Sequence, residues 1–366
     1  MNNKRILILK LSSLGDILHT LPVLRALREN QPSAYIAWMV EERYRDLLEG
    51  NSYLDEIITV RTKAWRKNWS LDTLREINQS IQKMRQSKFD TVLDLHGLLK
   101  TGIIAGLSGA KRRIGFPRQL CKEKISAWFT NVKGPRTGIG THVVELNHSL
   151  AKLAGAGDLS PAPLTFQVPP AAEEKIDGFI KNQSGLADKP RVAINPGAGF
   201  ESKQWDLIRF ANLADRIVQD LGYEVILTWG PGEESKVATI AEKMEQSCHI
   251  APATSVVESI ALYKRLDLMV SCDSGPLHMC AGLGIPTVSI FGPTDPDRNG
   301  AYGTNHEVVC KKLPCSYCWK RSCPLGTREC MDSVQVEEVF SAVKESATKY
   351  IHPLNPTESS TITNTE

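Results

Sequence analysis

With 366 residues, 42% of them hydrophobic and 23% charged, the chain has the composition of an ordinary globular protein and too much length for one core, so two domains of common size are expected. Its net charge of +3 conceals an asymmetry: 25 Lys and Arg face 15 Asp and Glu in residues 1–160, and 19 face 26 beyond. That excess suits an anionic partner on the first half, or solvation alone, and it disfavours nucleic acid, because no aromatic-interleaved basic stripe or recognition motif accompanies it.

The opening MNNKRILILKL is basic, but its apolar stretch is short and leads straight into polar SSLGD. It reads as a strand and not as a secretory signal, and no run of about 18 apolar residues occurs, so a cytoplasmic protein is expected. Residues 6–10 (ILILK) form a buried strand, the loop LSSLGD follows, and a helix runs over 17–28. Strands at 34–40, 54–60 and 91–95 alternate with helices at 42–48 and 74–86. Buried strands spaced by helices call for a parallel sheet covered on both faces. The stretch 134–140 (GPRTGIG) reads as a loop, and 142–153 as a helix closing a first domain, residues 1–155.

Residues 156–170, rich in Pro and Ala, are the expected linker. The pattern then restarts over 171–352. Strands at 191–195, 224–228, 249–250, 268–271 and 287–291 alternate with helices at 207–220, 234–246, 256–263 and 277–283. The fold class is therefore α/β, with two Rossmann-like doubly wound domains and a polar tail at 353–366. Ligands of such sheets bind beyond the carboxyl ends of the strands, which selects the loops there as the candidate site, in a cleft between the halves.

The first such loop is Ser12-Ser13-Leu14-Gly15-Asp16. Asp16 is either an acid favoured by the free N–H groups of a helix start or a general base. The loop matches neither the dinucleotide nor the P-loop fingerprint. In Asn195-Pro196-Gly197-Ala198-Gly199 two glycines permit close approach of a ligand, and Lys203 beyond them is either solvated or a mobile cation for a phosphoryl oxygen. The strongest local signal is Ser271-Cys272-Asp273-Ser274-Gly275-Pro276-Leu277-His278. There a buried strand ends in a turn whose amides open a helix and suit a diphosphate, with Asp273 as a helix cap in the plainer reading. Gly292-Pro293-Thr294-Asp295-Pro296 ends the next strand at the same rim.

The run 61–69 (RTKAWRKNW) carries Arg61, Lys63, Arg66 and Lys67 with two tryptophans and no acid. It is either a solvated loop or a patch for an acceptor with anionic groups. His96, Lys100 and the Lys111-Arg112-Arg113 run extend that surface if they lie nearby. Cys310, Cys315, Cys318, Cys323 and Cys330 hold one C-x-x-C and then irregular spacings, which leaves reduced buried thiols, a structural metal and disulfides open.

Taken together, KLSSLGDILHTLP (10–22), DLHGLLKT (94–101), NPGAGFESKQW (195–205), TWGPGEE (228–234), SCDSGPLHMCAGLGIPTVSIFGPTDP (271–296) and the terminal CSYCWKRSCPLGTRECM resemble the ADP-heptose:lipopolysaccharide heptosyltransferases of glycosyltransferase family 9. The likeness spans about residues 4–345. It implies the GT-B architecture of two facing Rossmann-like domains, the first for the acceptor and the second for the ADP-sugar. It also implies metal-independent, inverting transfer of L-glycero-D-manno-heptose from ADP-heptose, a substrate and not a cofactor, to the lipid A–Kdo or heptosylated inner core at the cytoplasmic face of the inner membrane, with peripheral contact to its anionic surface. By the same resemblance Asp16 is the base, and Lys203 joins Asp273, Ser274, Gly275, His278 and Thr294 around the donor phosphates. Ser12 and Ser13 flank the phosphates or the sugar, Gly197 and Gly199 line the donor, and Glu233 or Glu234 meets the ribose. The opening motif is closer to first-heptose enzymes and the cysteine-rich segment to second-heptose ones, so the step stays open. Another nucleotide sugar, or non-catalytic binding, are the competing readings.

Overall fold

The computed structural model describes residues 4–67, 70–136 and 142–351. The expected tail at 353–366, most of the loop at 134–140, and Asn68 and Trp69 of the basic run lie outside the described residues. The chain divides into two compact units, Met1–Gln167 and Val168–Glu366.

In the first unit the elements run β1 (Arg5–Leu9), α1 (Leu14–Leu18), α2 (Leu21–Asn30), β2 (Tyr35–Glu41), β3 (Glu56–Val60), α3 (Thr62–Lys67), α4 (Leu71–Gln86), β4 (Thr91–Asp94), α5 (Leu99–Leu107), β5 (Arg112–Gly115), β6 (Val132–Lys133) and α6 (Val143–Ala154). The six strands are all parallel, in the order β3-β2-β1-β4-β5-β6. β1 and β4 are buried along nearly their whole length, as the apolar runs require for central parallel strands. The helix expected over 17–28 starts earlier and breaks in two. Pro22 lacks an N–H to donate back along the chain, so the helix restarts there with proline in its first turn.

The second unit runs α7 (Pro170–Lys181), β7 (Arg191–Asn195), α8 (Leu207–Leu221), β8 (Glu224–Leu227), α9 (Glu234–Lys243), β9 (His249–Ile250), α10 (Val256–Tyr263), β10 (Leu268–Cys272), α11 (Gly275–Gly282), β11 (Thr287–Phe291), α12 (Pro296–Asn299), β12 (His306–Cys310), α13 (Glu329–Asp332) and α14 (Val336–Tyr350). Its strands are also parallel, ordered β12-β11-β10-β7-β8-β9. α8 shows why these helices form where they do. Asp206 accepts from the N–H groups of Ile208 and Arg209 at its start, and Gly222 closes it in the left-handed conformation. Trp205, fully buried, stacks edge-on with Phe210 and donates to Val334 O at 3.1 Å, fixing the chain just after Lys203.

Each sheet reverses its winding at one place: between β1 and β4 in the first unit, and between β7 and β10 in the second. Strands that diverge there leave a crevice at their carboxyl ends. Asp16 and His96 follow β1 and β4; Gly197 and Asp273 follow β7 and β10. Among the described residues no helix is long and apolar enough to cross a membrane.

Candidate active site

At the first switch point the side chain that organises the site is Lys10, which directly follows β1. Its ammonium is buried, donates to Leu95 O at 2.6 Å and lies 3.5 Å from Asp16 Oδ1. Asp16 sits in the first turn of α1, where its Oδ2 accepts from the Ser13 N–H at 3.1 Å and the Ser13 hydroxyl at 3.2 Å, with the Lys122 ammonium at 3.8 Å. Asp16 therefore caps its helix and also forms an ion pair. Burial opposes its charge, yet Lys10 and Lys122 outweigh that and hold the carboxyl well below the usual carboxylate range. Burial also pulls Lys10 down, with Asp16 resisting.

His96 is buried. Burial and the adjacent Lys10 charge drive its pKa well below the ordinary histidine value. The Leu11 N–H donates to its Nδ1 at 3.3 Å, so the neutral ring carries its proton on Nε2. Asp94 turns the chain beneath it, accepting from the N–H groups of His96 and Gly97 at 3.0 and 3.2 Å, and burial raises its pKa.

The basic run is not the unopposed loop expected. Residues 62–67 form α3, and Arg61 pairs with Glu76 at 2.9 Å and approaches Glu42 at 3.9 Å, so acids distant in sequence neutralise part of it. Lys63 is exposed on α3; the side chains of Arg66 and Lys67 lie outside the described residues. Lys100 reaches Thr62 Oγ1 at 3.3 Å and Glu41 Oε1 at 3.8 Å, which ties α5 to α3 and the end of β2. Lys111-Arg112-Arg113 does not join this surface. Arg112 is in register with Thr91, the first residue of β4, at the opposite end of the sheet from His96, and Arg113 is spent on Phe129 O and Ala110 O.

At the second switch point Lys203 is not simply solvated. Its ammonium is 2.5 Å from Asp273 Oδ2, and both side chains are largely buried. Thr294 donates to the same oxygen at 2.7 Å, and His278 Nε2 lies 3.4 Å from Oδ1. Burial disfavours the Asp273 charge, but His278 and Lys203 keep its carboxyl below the usual range. Asp273 is not the cap of α11. Ser274 occupies that position, its hydroxyl bonded to Ser271 at 2.8 Å, and Gly275 opens the helix.

The glycine loop is built from β7 outwards. Asn195 is buried, donates to Thr228 and accepts from the Gly197 N–H at 3.2 Å. Glu233 returns to this loop, accepting from the Gly230 N–H at 3.1 Å with Lys236 at 3.4 Å, whereas Glu234 is exposed in the first turn of α9. A Cβ on Gly197 would lie 2.3 Å from Glu233 Oε2, whereas one on Gly199 would meet nothing within 4 Å. Gly197→Ala is thus expected to displace the Glu233 carboxylate and destabilise the second unit by about 1 kcal/mol, with Gly199→Ala as a near-neutral control; thermal unfolding of both variants checks this.

The cysteine-rich segment braces this site. Lys320 O and Arg321 O accept from the Ser202 hydroxyl and N–H at 2.6 and 3.2 Å, Arg328 donates to Gln204 O, and the Tyr317 and Trp319 N–H groups donate to Gly292 O and Pro293 O. It thereby holds both the Lys203 turn and the Thr294 loop. All nine cysteines are free thiols, and among the described residues no three or more His, Cys, Asp or Glu side chains are gathered as a metal-binding group.

Two contributors escaped the sequence. Lys10, a cation ending an apolar strand at a sheet's carboxyl rim, was a usable signal. Lys122 had none, because only folding carries it to Asp16.

A family model described as glycosyltransferase family 9 (heptosyltransferase) matches residues 77–328, well over half of the chain. The protein belongs to that family. Lipopolysaccharide heptosyltransferase 1 of Pseudomonas aeruginosa is 28% identical to this family-9 chain over 325 residues, covering 87% of each. Among solved structures, the glycosyl transferase family 9 protein of Veillonella parvula superposes with a TM-score of 0.83 at 23% identity, covering 95% of this chain and 98% of that one. The E. coli heptosyltransferase WaaC with ADP does so with a TM-score of 0.74 at 24% identity, covering 94% and 100%. The two Rossmann-like units are those of the GT-B fold, as the sequence resemblance implied.

Proposed function

We propose that this family-9 enzyme is a lipopolysaccharide heptosyltransferase, moving L-glycero-D-manno-heptose from ADP-heptose to a Kdo or heptose hydroxyl of the lipid-anchored inner core, with inversion and without a metal, at the cytoplasmic face of the inner membrane. The observation that carries the reading is the complementary chemistry of the two switch points: an ionised carboxylate in the first unit, and a buried cation beside a helix N-terminus in the second.

An inverting displacement needs one base. As the acceptor oxygen bonds to the anomeric carbon, its proton passes to Asp16, while the bond from that carbon to the phosphate oxygen breaks and ADP departs with the electron pair. Lys203 and the amides at Gly275 stabilise the charge gathering on ADP. Asp273, itself held by His278 and Thr294, fixes Lys203, and Glu233 serves the ribose near Gly197. Lys10 keeps Asp16 ionised. The more exposed Lys122 is the partner that acceptor phosphates or carboxylates can draw away, which raises the basicity of Asp16 once the acceptor is bound. Arg61, Lys63 and Lys100 remain acceptor contacts in this reading, with Arg61 exchanging Glu76 for the acceptor.

The test is a donor-and-acceptor matrix read by product mass. ADP-heptose should be consumed only with an inner-core acceptor, giving a product heavier by one heptosyl residue. Transfer from UDP- or GDP-sugars instead, or ADP release independent of acceptor, would overturn the assignment. Acceptors ending in Kdo or in heptose decide the step.

A further inference from the structure

We infer that the α5 face of the first unit, together with the segment 117–129 packed on it, is the surface by which the protein docks on an anionic phospholipid bilayer. Leu99, Ile103 and Leu107 recur at helical spacing and are exposed, Ile103 by 40%. They form an apolar stripe on a helix whose adjacent face is already occupied. That face carries Gly102 and Gly106, where a Cβ would come within 3.0 Å of Ser126 O and of the Phe129 ring, so the 3-10 turn Lys124–Phe129 lies directly against α5. The Leu99 N–H donates to Glu123 Oε2 at 2.5 Å, and the Glu123 N–H to Gly97 O, which fastens the start of the turn to the start of the helix. The segment adds exposed apolar side chains of its own: Leu120, Ile125 at 50% and Trp128 at 74%.

An apolar face of this kind needs an occupant, and the charge around it selects one. Arg118, Lys122 and Lys124 are exposed within the same segment, against the single acid Glu123, whose carboxylate is already engaged by Leu99. Apolar side chains and a tryptophan interleaved with cations match an interface of acyl chains beneath anionic headgroups. A second copy of the chain is a poorer occupant, because a two-fold contact would set the same cations against each other. Lys122 also reaches Asp16, so the docking segment and the proposed base are joined by one side chain. This inference rests on the reading that the acceptor is lipid-anchored: docking through this segment delivers a membrane-held sugar to the rim that carries Asp16.

The experiment uses the full chain and sucrose-loaded vesicles, either phosphatidylglycerol-containing or pure phosphatidylcholine, with neither donor nor acceptor present. Wild type should sediment with the anionic vesicles. Ile125→Ser combined with Trp128→Ser, and separately Ile103→Ser, should each weaken that partitioning at least tenfold, while kcat/KM on a deacylated, soluble inner-core acceptor stays within about twofold. Retained turnover on the soluble acceptor also certifies that the variants fold. Equal vesicle binding by wild type and variants, no binding to anionic vesicles, or a wild-type dimer in sedimentation that the substitutions dissociate would each overturn the surface. Vesicle binding that persists in a protein inactive on ADP-heptose would count against the activity and leave the surface standing.

Discussion

Asp16→Asn is expected to lower kcat by about two to four orders of magnitude while leaving ADP-heptose affinity within about threefold of wild type. The amide keeps an oxygen that can accept from Ser13, so the first turn of α1 stays capped, but the charge and the proposed proton acceptor are gone. Lys10 remains bonded to Leu95 O and loses its counter-charge, so the variant should also be less stable, by up to about 3 kcal/mol for breaking a largely buried pair. Turnover must therefore be measured below the lowered melting temperature. Initial rates of ADP release, donor titration calorimetry and thermal unfolding separate these effects. Wild-type turnover in a folded variant would remove Asp16 from the chemistry. The pH behaviour has a definite sign. The folded pKa of Asp16 is depressed, so its stabilising contribution is complete above the unfolded value of about 4 and is lost as the pH falls through the lower folded value. An acid limb in kcat/KM at pH 5 to 7 then belongs to another group of the enzyme or substrate, since Asp16 of the free enzyme stays ionised across that window.

Lys203→Ala should damage binding and turnover together, because in the proposed mechanism the cation meets the donor phosphate in both the ground and the transition state. Donor affinity is expected to fall about tenfold or more, and kcat by about 10²-fold as charge grows on the leaving ADP. The loss has a structural part. Asp273 would keep Thr294 and His278 but lose the ammonium at 2.5 Å, and removing one member of a buried pair typically costs about 3 to 5 kcal/mol. Replacing both partners, Lys203→Met with Asp273→Asn, should recover much of the stability without recovering activity. That contrast distinguishes a phosphate-binding cation from a structural one. Unchanged donor affinity and rate in Lys203→Ala would exclude it from the site.

The signals that could be read from the chain alone were those in which a short stretch carries its own physics. Buried apolar runs such as ILIL and TVSIF, short and bounded by turn residues, read as central parallel strands. The Gly275 turn announces a helix N-terminus directly after such a strand, and the motifs together name the family. α5 was not among the expected helices; its Gly102 and Gly106 leave room for Ser126 and Phe129, partners that only the fold brings there. The cations at 61–69 look unopposed only while Glu42 and Glu76 are distant in sequence.

The sequence by itself determined the α/β class, the positions of most strands, the loops at their carboxyl ends and, through resemblance, the family. The tertiary structure alone decided which charges meet. It placed Lys10 and Lys122 on Asp16, Lys203 and Thr294 on Asp273, and Glu233 against Gly197. The physical reason is range. Periodicity and turn chemistry act between residues a few positions apart and leave a local trace, whereas the ionisation of a buried carboxylate depends on cations brought to it from elsewhere in the chain when the sheet assembles.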